Sequence, residues 1–236
     1  MGNTYVVIPT YNEADNIQPL LQEILALNVP DLTALVVDDN SPDGTGQLAD
    51  RLARNNDRIK VLHRTEARGR GLAGIAGFKF ALQAGADYII EMDADFSHQP
   101  RYIPDFLKAI KNYDVVIGSR FIAGGVDIKR TFLRRLVTLL ARKYIQLILG
   151  IKIKDVTSGY RCFRHQVLVK LELDRLISRG PSLVSEILYL ATLKNFRLHE
   201  IPIVFIDRQK GATKLNLPIL LNTLYMIYKF RRLYKI

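Results

Sequence analysis

The chain has almost no cysteine. Cys162 is the single one in 236 residues. No disulfide can therefore form within the chain, and no Cys/His zinc pattern can be built. It stands between Arg161 and Phe163 and reads as structural. Uninterrupted apolar runs are also missing. None reaches the roughly 20 residues that a membrane-spanning helix needs. The first residues enter a strand pattern at once, so no signal peptide is expected. Met1-Gly2 does not open a myristoylation signal, because Val6 stands where Ser or Thr is wanted. No internal repeat, low-complexity tract or linker divides the chain, so it reads as one domain.

Acidic residues are in the minority. Lysine and arginine total 34 against 23 acids, a net charge of +11. Such a balance favours anionic partners: nucleic acid, phosphorylated substrates or an acidic membrane face. The basic residues concentrate after residue 119. No helix-turn-helix, RNP or zinc signature accompanies them, and they interleave with Leu and Ile rather than with a stacking platform. Nucleic acid is therefore not an expected partner.

What is present is an alternation. Apolar runs at 4–8, 32–37, 59–62, 88–92 and 114–118 read as strands. Between them, helical periodicity marks segments through Leu20 to Leu27, through Leu48 and Leu52, over 71–84 and over 102–111. Continuous apolar strands alternating with helices imply an α/β fold with a parallel sheet covered on both faces. Pro9 is read as the end of the first strand. Further on, 130–149 reads as an amphipathic helix with Leu133, Leu136, Val137, Leu140, Tyr144 and Leu147 on one side. Residues 155–161 and 207–214 read as polar loops, 182–194 as helix and 198–205 as extended. The tail, 217–236, is apolar and aromatic, then basic.

The chemistry gathers at Glu91-Met92-Asp93-Ala94-Asp95-Phe96-Ser97-His98, which closes the fourth strand. In a strand, residues two apart point to one face, so Asp93 and Asp95 are expected to converge on one cation. Hard oxygen ligands suit Mg²⁺ or Mn²⁺, held by one or two carboxylates together with substrate phosphates. Two other strands also end in acid-bearing turns, at Glu13 and at Asp38-Asp39. In a parallel sheet these turns line one rim, where open α/β sheets bind ligands.

Several of these motifs, in this order, carry a resemblance. They are Pro9-Thr10-Tyr11-Asn12-Glu13, then Asp38-Asp39-Asn40-Ser41-Pro42-Asp43-Gly44-Thr45. Asp93-Ala94-Asp95-Phe96-Ser97-His98-Gln99-Pro100 and Gly118-Ser119-Arg120 follow. Residues 155–161 and Arg208-Gln209-Lys210-Gly211-Ala212-Thr213-Lys214 complete the set. Together they resemble glycosyltransferase family 2, and within it the polyprenol (dolichol) phosphate mannose synthases.

The resemblance implies a single GT-A type (Rossmann-like) domain, with a mostly parallel sheet flanked by helices. Residues 1–119 would form the nucleotide-sugar half, 120–214 the acceptor half and 215–236 an amphipathic tail. It implies that Pro9, Tyr11, Glu13, Val37 and Asp39 hold the nucleotide, and that Asp93, Ala94 and Asp95 hold the donor and its Mg²⁺ or Mn²⁺. Arg120, Arg130, Arg208 and Lys214 would bind the donor diphosphate and the acceptor phosphate. The implied substrates are a nucleotide-sugar donor, GDP-mannose, and a polyprenyl phosphate acceptor. UDP-glucose with the same lipid is the alternative.

Two positions depart from the pattern. Ser97 stands where relatives often have Gln as a further metal ligand. Arg134 stands where they often have Ser beside the acceptor phosphate. A lipid phosphate is already an anion, so no strong general base is required, which fits a chain with four histidines. No catalytic nucleophile is found in the strand-end turns, and one-step displacement would invert the anomeric centre. The lipid acceptor implies a cytoplasmic protein bound peripherally to the anionic cytoplasmic face of a membrane, through helix 130–149 or the tail, and leaves room for a membrane-spanning partner subunit.

One competing motif is present. Gly69-Arg70-Gly71-Leu72-Ala73-Gly74 matches the dinucleotide fingerprint of NAD(P) oxidoreductases. It follows the third strand rather than the first, at some distance, which is the wrong context.

Overall fold

The computed structural model describes residues 2–66, 68–128, 132–206 and 217–234, with backbone only at 132–134 and 217. Strands β1 (Thr4–Thr10), β2 (Leu32–Asp38), β3 (Ile59–His63), β4 (Tyr88–Glu91), β5 (Val115–Ser119), β7 (Arg161–Arg164) and β8 (Leu198–Pro202) make one sheet. Their order is β3-β2-β1-β4-β7-β5-β8. All neighbours are parallel except β7, which runs antiparallel to both β4 and β5. Two short strands, β6 (Val126–Ile128) and β9 (Val204–Ile206), pair separately.

Side-chain alternation divides the core in two. Val7, Leu35, Val37, Ile89 and Phe163 point to one face. There they meet α3 (Arg70–Gln83), α5 (Phe132–Leu149), α6 (His165–Lys170), α7 (Leu183–Leu193) and α8 (Leu217–Leu233). Val6, Ile8, Val36, Ile90 and Cys162 point to the other, covered by α1 (Ala14–Ala26), α2 (Thr45–Arg54) and α4 (Ile103–Ala109). Helix α3 lies so close to the sheet that a Cβ at Gly77 would stand 2.3 Å from Val7 Cγ1.

Several expectations need correction. Pro9 does not end β1; it pairs in register with Val37. Residues two apart in a strand direct their N–H groups to the same side, and Val7 faces β4 there. By Pro9 strand β4 has ended, so its missing N–H forfeits no ladder bond. Residues 161–164 are not only the end of a polar turn but a central strand. Helix α6 was not apparent in the sequence. Among the described side chains of α5 the buried ones are Ile145 and Leu149, while Leu136, Leu140 and Leu147 of the expected apolar side face outward.

Candidate active site

Strands β2, β1 and β4 are neighbours, so their acid-bearing turns sit side by side and not merely on a common rim. The first two turns are bolted together. Ser41 Oγ accepts the Asn12 N–H at 3.0 Å, Thr45 Oγ1 that of Glu13 at 2.9 Å, and Asp43 Oδ2 that of Ala14 at 3.1 Å. These groups satisfy main-chain donors at the start of α1. The polar 38–45 run is therefore largely a brace for the 11–14 turn. Glu13 takes part by accepting from Asn16 Nδ2 at 2.8 Å.

Above the end of β2, Asp39 accepts the Gly69 N–H at 2.7 Å and pairs with Arg64. Arg68 donates to Tyr11 Oη at 2.9 Å and lies over its ring. Tyr11 and Asp39 thus stand on one side of the rim with Arg64 and Arg68, neither of which sequence reasoning singled out. Val37 does not present its side chain here: it is wholly buried against α3. Pro9 is half-buried just before the turn.

The third turn does not have the expected geometry. Strand β4 stops at Glu91, so Asp93 and Asp95 lie beyond it in a tight turn whose Phe96 takes a left-handed φ of 61°. The strand argument for their convergence does not apply. The charges of both act on the buried His98 that closes the loop. Asp95 Oδ1 accepts both the Ser97 N–H at 3.1 Å and the Ser97 hydroxyl at 2.6 Å. The Ser97 hydroxyl is thereby turned toward Asp95. Ala94 is buried.

His98 Nδ1 accepts the Asp93 N–H at 3.0 Å, which places the proton of the neutral ring on Nε2. Burial keeps this imidazole below its ordinary pKa, against the pull of Asp93 and Asp95. Its ring stacks on Tyr160, with centroids 5.0 Å apart, and meets Phe205 edge-on. The charges of Arg70 and Arg120 also act on it.

Arg120, at the end of β5, reaches Asp155 through Nε and Nη2, each at 2.8 Å, and Thr157 through Nη2 at 2.8 Å. Burial works against its charge, but Asp155 more than compensates and its pKa rises. Any role in phosphate binding is shared with that pair. Arg130, Arg208 and Lys214 lie outside the described residues, and Arg134 is described in its backbone only.

The donors fit a hard divalent ion better than zinc. Two carboxylates and a neutral hydroxyl are at hand, and His98 Nδ1 is engaged elsewhere. Among the described residues no three His, Cys, Asp or Glu side chains gather as a metal cluster. A cleft of about 380 Å³ adjoins Asp95, lined also by Asp15, Asn16, Glu23, Phe96 and Arg101.

The glycines of 69–74 serve packing between parts of the protein. A Cβ at Gly71 would stand 2.8 Å from the backbone at Arg179 and Gly180, and one at Gly74 would stand 3.1 Å from Glu91 Oε1. The space beside Gly69 and Gly71 is thus taken by the 179–180 backbone.

An acidic rim at the carboxyl ends of adjacent parallel strands is where open α/β sheets bind their ligands. Residues 5–171 match the family described as glycosyl transferase family 2. The chain belongs to that family. It is 40% identical over 210 residues to the undecaprenyl-phosphate mannosyltransferase of Micrococcus luteus, covering 89% of this chain and 86% of that one. It is 40% identical over 215 residues to the polyprenol monophosphomannose synthase of Mycolicibacterium smegmatis, covering 90% and 81%.

Among solved structures it resembles glucosyl-3-phosphoglycerate synthase from Mycobacterium tuberculosis in complex with Mn²⁺, UDP-glucose and phosphoglyceric acid. The TM-score is 0.72 at 16% identity, over 99% of this chain and 81% of that one. Mannosyl-3-phosphoglycerate synthase from Rubrobacter xylanophilus gives a TM-score of 0.70 at 21% identity, over 99% and 74%. These likenesses establish the GT-A fold.

Proposed function

We propose that this glycosyltransferase moves mannose from GDP-mannose to a polyprenyl phosphate, with Mg²⁺ or Mn²⁺, on the cytoplasmic face of a membrane. The observation that carries the reading is the acidic turn at Asp93 and Asp95, set beside Tyr11 and Asp39, in a chain 40% identical to a mannosyltransferase acting on undecaprenyl phosphate. Tyr11 and Asp39 hold the nucleoside, with Pro9, Glu13 and the Val37 backbone shaping its seat. Asp93 and Asp95 hold the divalent ion and the donor, with Ser97 fixing the Asp95 rotamer. The ion, when bound, neutralises charge developing on the leaving diphosphate.

Arg130, Arg208 and Lys214, with Arg120, gather the phosphates of donor and acceptor, since guanidinium groups fork onto such oxygens. The acceptor phosphate attacks as an anion, so no residue need remove a proton. Neutral His98 orients the Asp93 main chain. A single displacement inverts the anomeric carbon.

A donor panel tests this. GDP-mannose and UDP-glucose are each offered with one polyprenyl phosphate, with Mn²⁺ or with excess EDTA. Mannosyl transfer abolished by EDTA is expected. Preference for UDP-glucose would replace the donor assignment, and full activity in EDTA would overturn the metal.

A further inference from the structure

Four alternating charges run from the core to the acidic turn. Arg161 and Glu91 are fully buried, and Arg161 Nη2 donates to Glu91 Oε2 at 2.5 Å. Arg161 is held from behind by the Val184 carbonyl, 3.0 Å from its Nη1. Arg70 Nη1 donates to the other Glu91 oxygen at 2.9 Å. The rest of the Arg70 guanidinium turns outward, with Nε at 3.2 Å and Nη2 at 2.7 Å from the same atom, Asp93 Oδ1. The outer pair is about one-third exposed, so the row ends at the rim.

The backbone around the row is cut to fit it. A Cβ at Gly159 would stand 2.7 Å from Arg70 Nη2. One at Gly74 would crowd Glu91. Gly69 and Gly71, on either side of Arg70, admit the 179–180 backbone within 3 Å of where their Cβ atoms would be. Burying the Arg161–Glu91 pair adds little to stability by itself, because apolar side chains of similar size commonly do as well. Such a row does fix the direction of whatever lies at its end.

We infer that Arg70 is a positioning residue for donor binding: anchored on Glu91 and Arg161, it holds Asp93 Oδ1 and so sets how the Asp93 carboxylate meets the metal and donor diphosphate. This deepens the proposed function and rests on it. Arg70 makes two bonds to one oxygen, and only a fork-shaped cation can hold Glu91 and Asp93 together in this way. Lysine would keep the charge and lose the fork.

Two readouts on Arg70→Met and Arg70→Lys test the inference. The first needs no ligand: amide hydrogen exchange across 92–99 should quicken at least about tenfold in Arg70→Met, beyond any change in the β1–β2 core. The second is Mn²⁺ binding in the presence of GDP, followed by electron paramagnetic resonance. It should weaken at least about tenfold in Arg70→Met and recover in part in Arg70→Lys. A variant of lower melting temperature with unchanged local exchange and wild-type Mn²⁺ affinity would show the row to be structural only, and would overturn the inference. Absence of Mn²⁺·GDP binding by the unaltered protein would instead overturn the proposed function.

Discussion

Arg120 and Asp155, 35 residues apart, meet as a two-pronged buried ion pair, Nε on Oδ2 and Nη2 on Oδ1, each at 2.8 Å. The Arg120 N–H adds a third bond to Oδ2 at 3.0 Å. From the other side, Glu200 accepts the N–H groups of Lys154 and Asp155 at 2.8 and 2.9 Å. The Gly118-Ser119-Arg120 and 155–161 motifs are thus two halves of one lock. It fastens the end of β5 to the loop that leads into β7 and to β8.

Asp155→Asn leaves the Arg120 charge buried beside a weaker partner. Breaking such a pair costs about 3–5 kcal/mol, to be read from denaturant unfolding. The acid limb should change as well. Burial tends to raise the Asp155 pKa, but the charge and hydrogen bonds of Arg120 outweigh it and hold it below the ordinary 3.8. Its contribution is therefore complete above that value and is lost as pH falls through the lowered one. Stability measured between about pH 5 and pH 2 should fall more steeply in the unaltered protein than in Asp155→Asn. Parallel curves would refute this share in acid stability.

Asp95→Asn retains an acceptor for the Ser97 N–H and hydroxyl while removing the charge. The turn should persist and the protein should melt normally, yet sugar transfer should be abolished. Retained transfer would remove Asp95 from the donor site. Asp95→Ala loses transfer too, but it also opens the Asp95–Ser97 turn, so Asp95→Asn is the cleaner measurement.

The sheet was largely legible because its strands are apolar on both faces. The site was legible in its residues and less so in its geometry. Asp93 and Asp95 were visible by type, but β4 ends at Glu91, and the loop beyond it obeys hydrogen bonds that no periodicity encodes. Strand β7 was hidden because Arg161 looks like a surface residue until Glu91 is found opposite it in register. The same blindness concealed Arg70, which lies inside a glycine pattern that suggested a different ligand. Val37 was placed at the nucleotide by resemblance, yet its side chain faces α3.

The phosphate cluster is tested by Arg130→Ala and Arg208→Ala. Each should lose about 1.5–3 kcal/mol of transition-state stabilisation, the scale of a charged hydrogen bond. In kcat/KM that is roughly 10- to 150-fold. Wild-type turnover in both variants would rule the cluster out. Arg134→Ser should be mild and should alter the preference among acceptor lipids.

Membrane attachment can be tested more sharply than by removing the tail. Helix α8 is part of the fold: Ile227 and Phe230 are wholly buried, and Tyr234 donates to the buried Glu186 at 2.5 Å. Deleting 217–236 would open the core and confuse loss of binding with loss of structure. Its outer side is another matter. Leu221, Tyr225, Tyr228 and Leu233 face outward there, with Tyr225 61% exposed. On α5, joined to α8 where Tyr144 donates to the Leu224 carbonyl, Leu136, Leu139, Leu140 and Leu147 also face outward, the last 82% exposed. Exposed Arg135, Lys143, Arg231 and Arg232 accompany them. No helix among the described residues is long and apolar enough to cross a membrane. Apolar side chains flanked by cations suit the interface of an anionic leaflet, where each cation adds about 1 kcal/mol. The protein should therefore co-sediment with anionic vesicles at low salt and detach as salt rises. Replacing Leu140, Leu147, Leu221 and Tyr225 together by Ser should abolish sedimentation and leave the melting temperature nearly unchanged, because all four already face water. Transfer to a vesicle-borne polyprenyl phosphate should fall in step, while GDP binding persists. Undiminished sedimentation of the quadruple variant would show that this surface is not the one that meets the lipid.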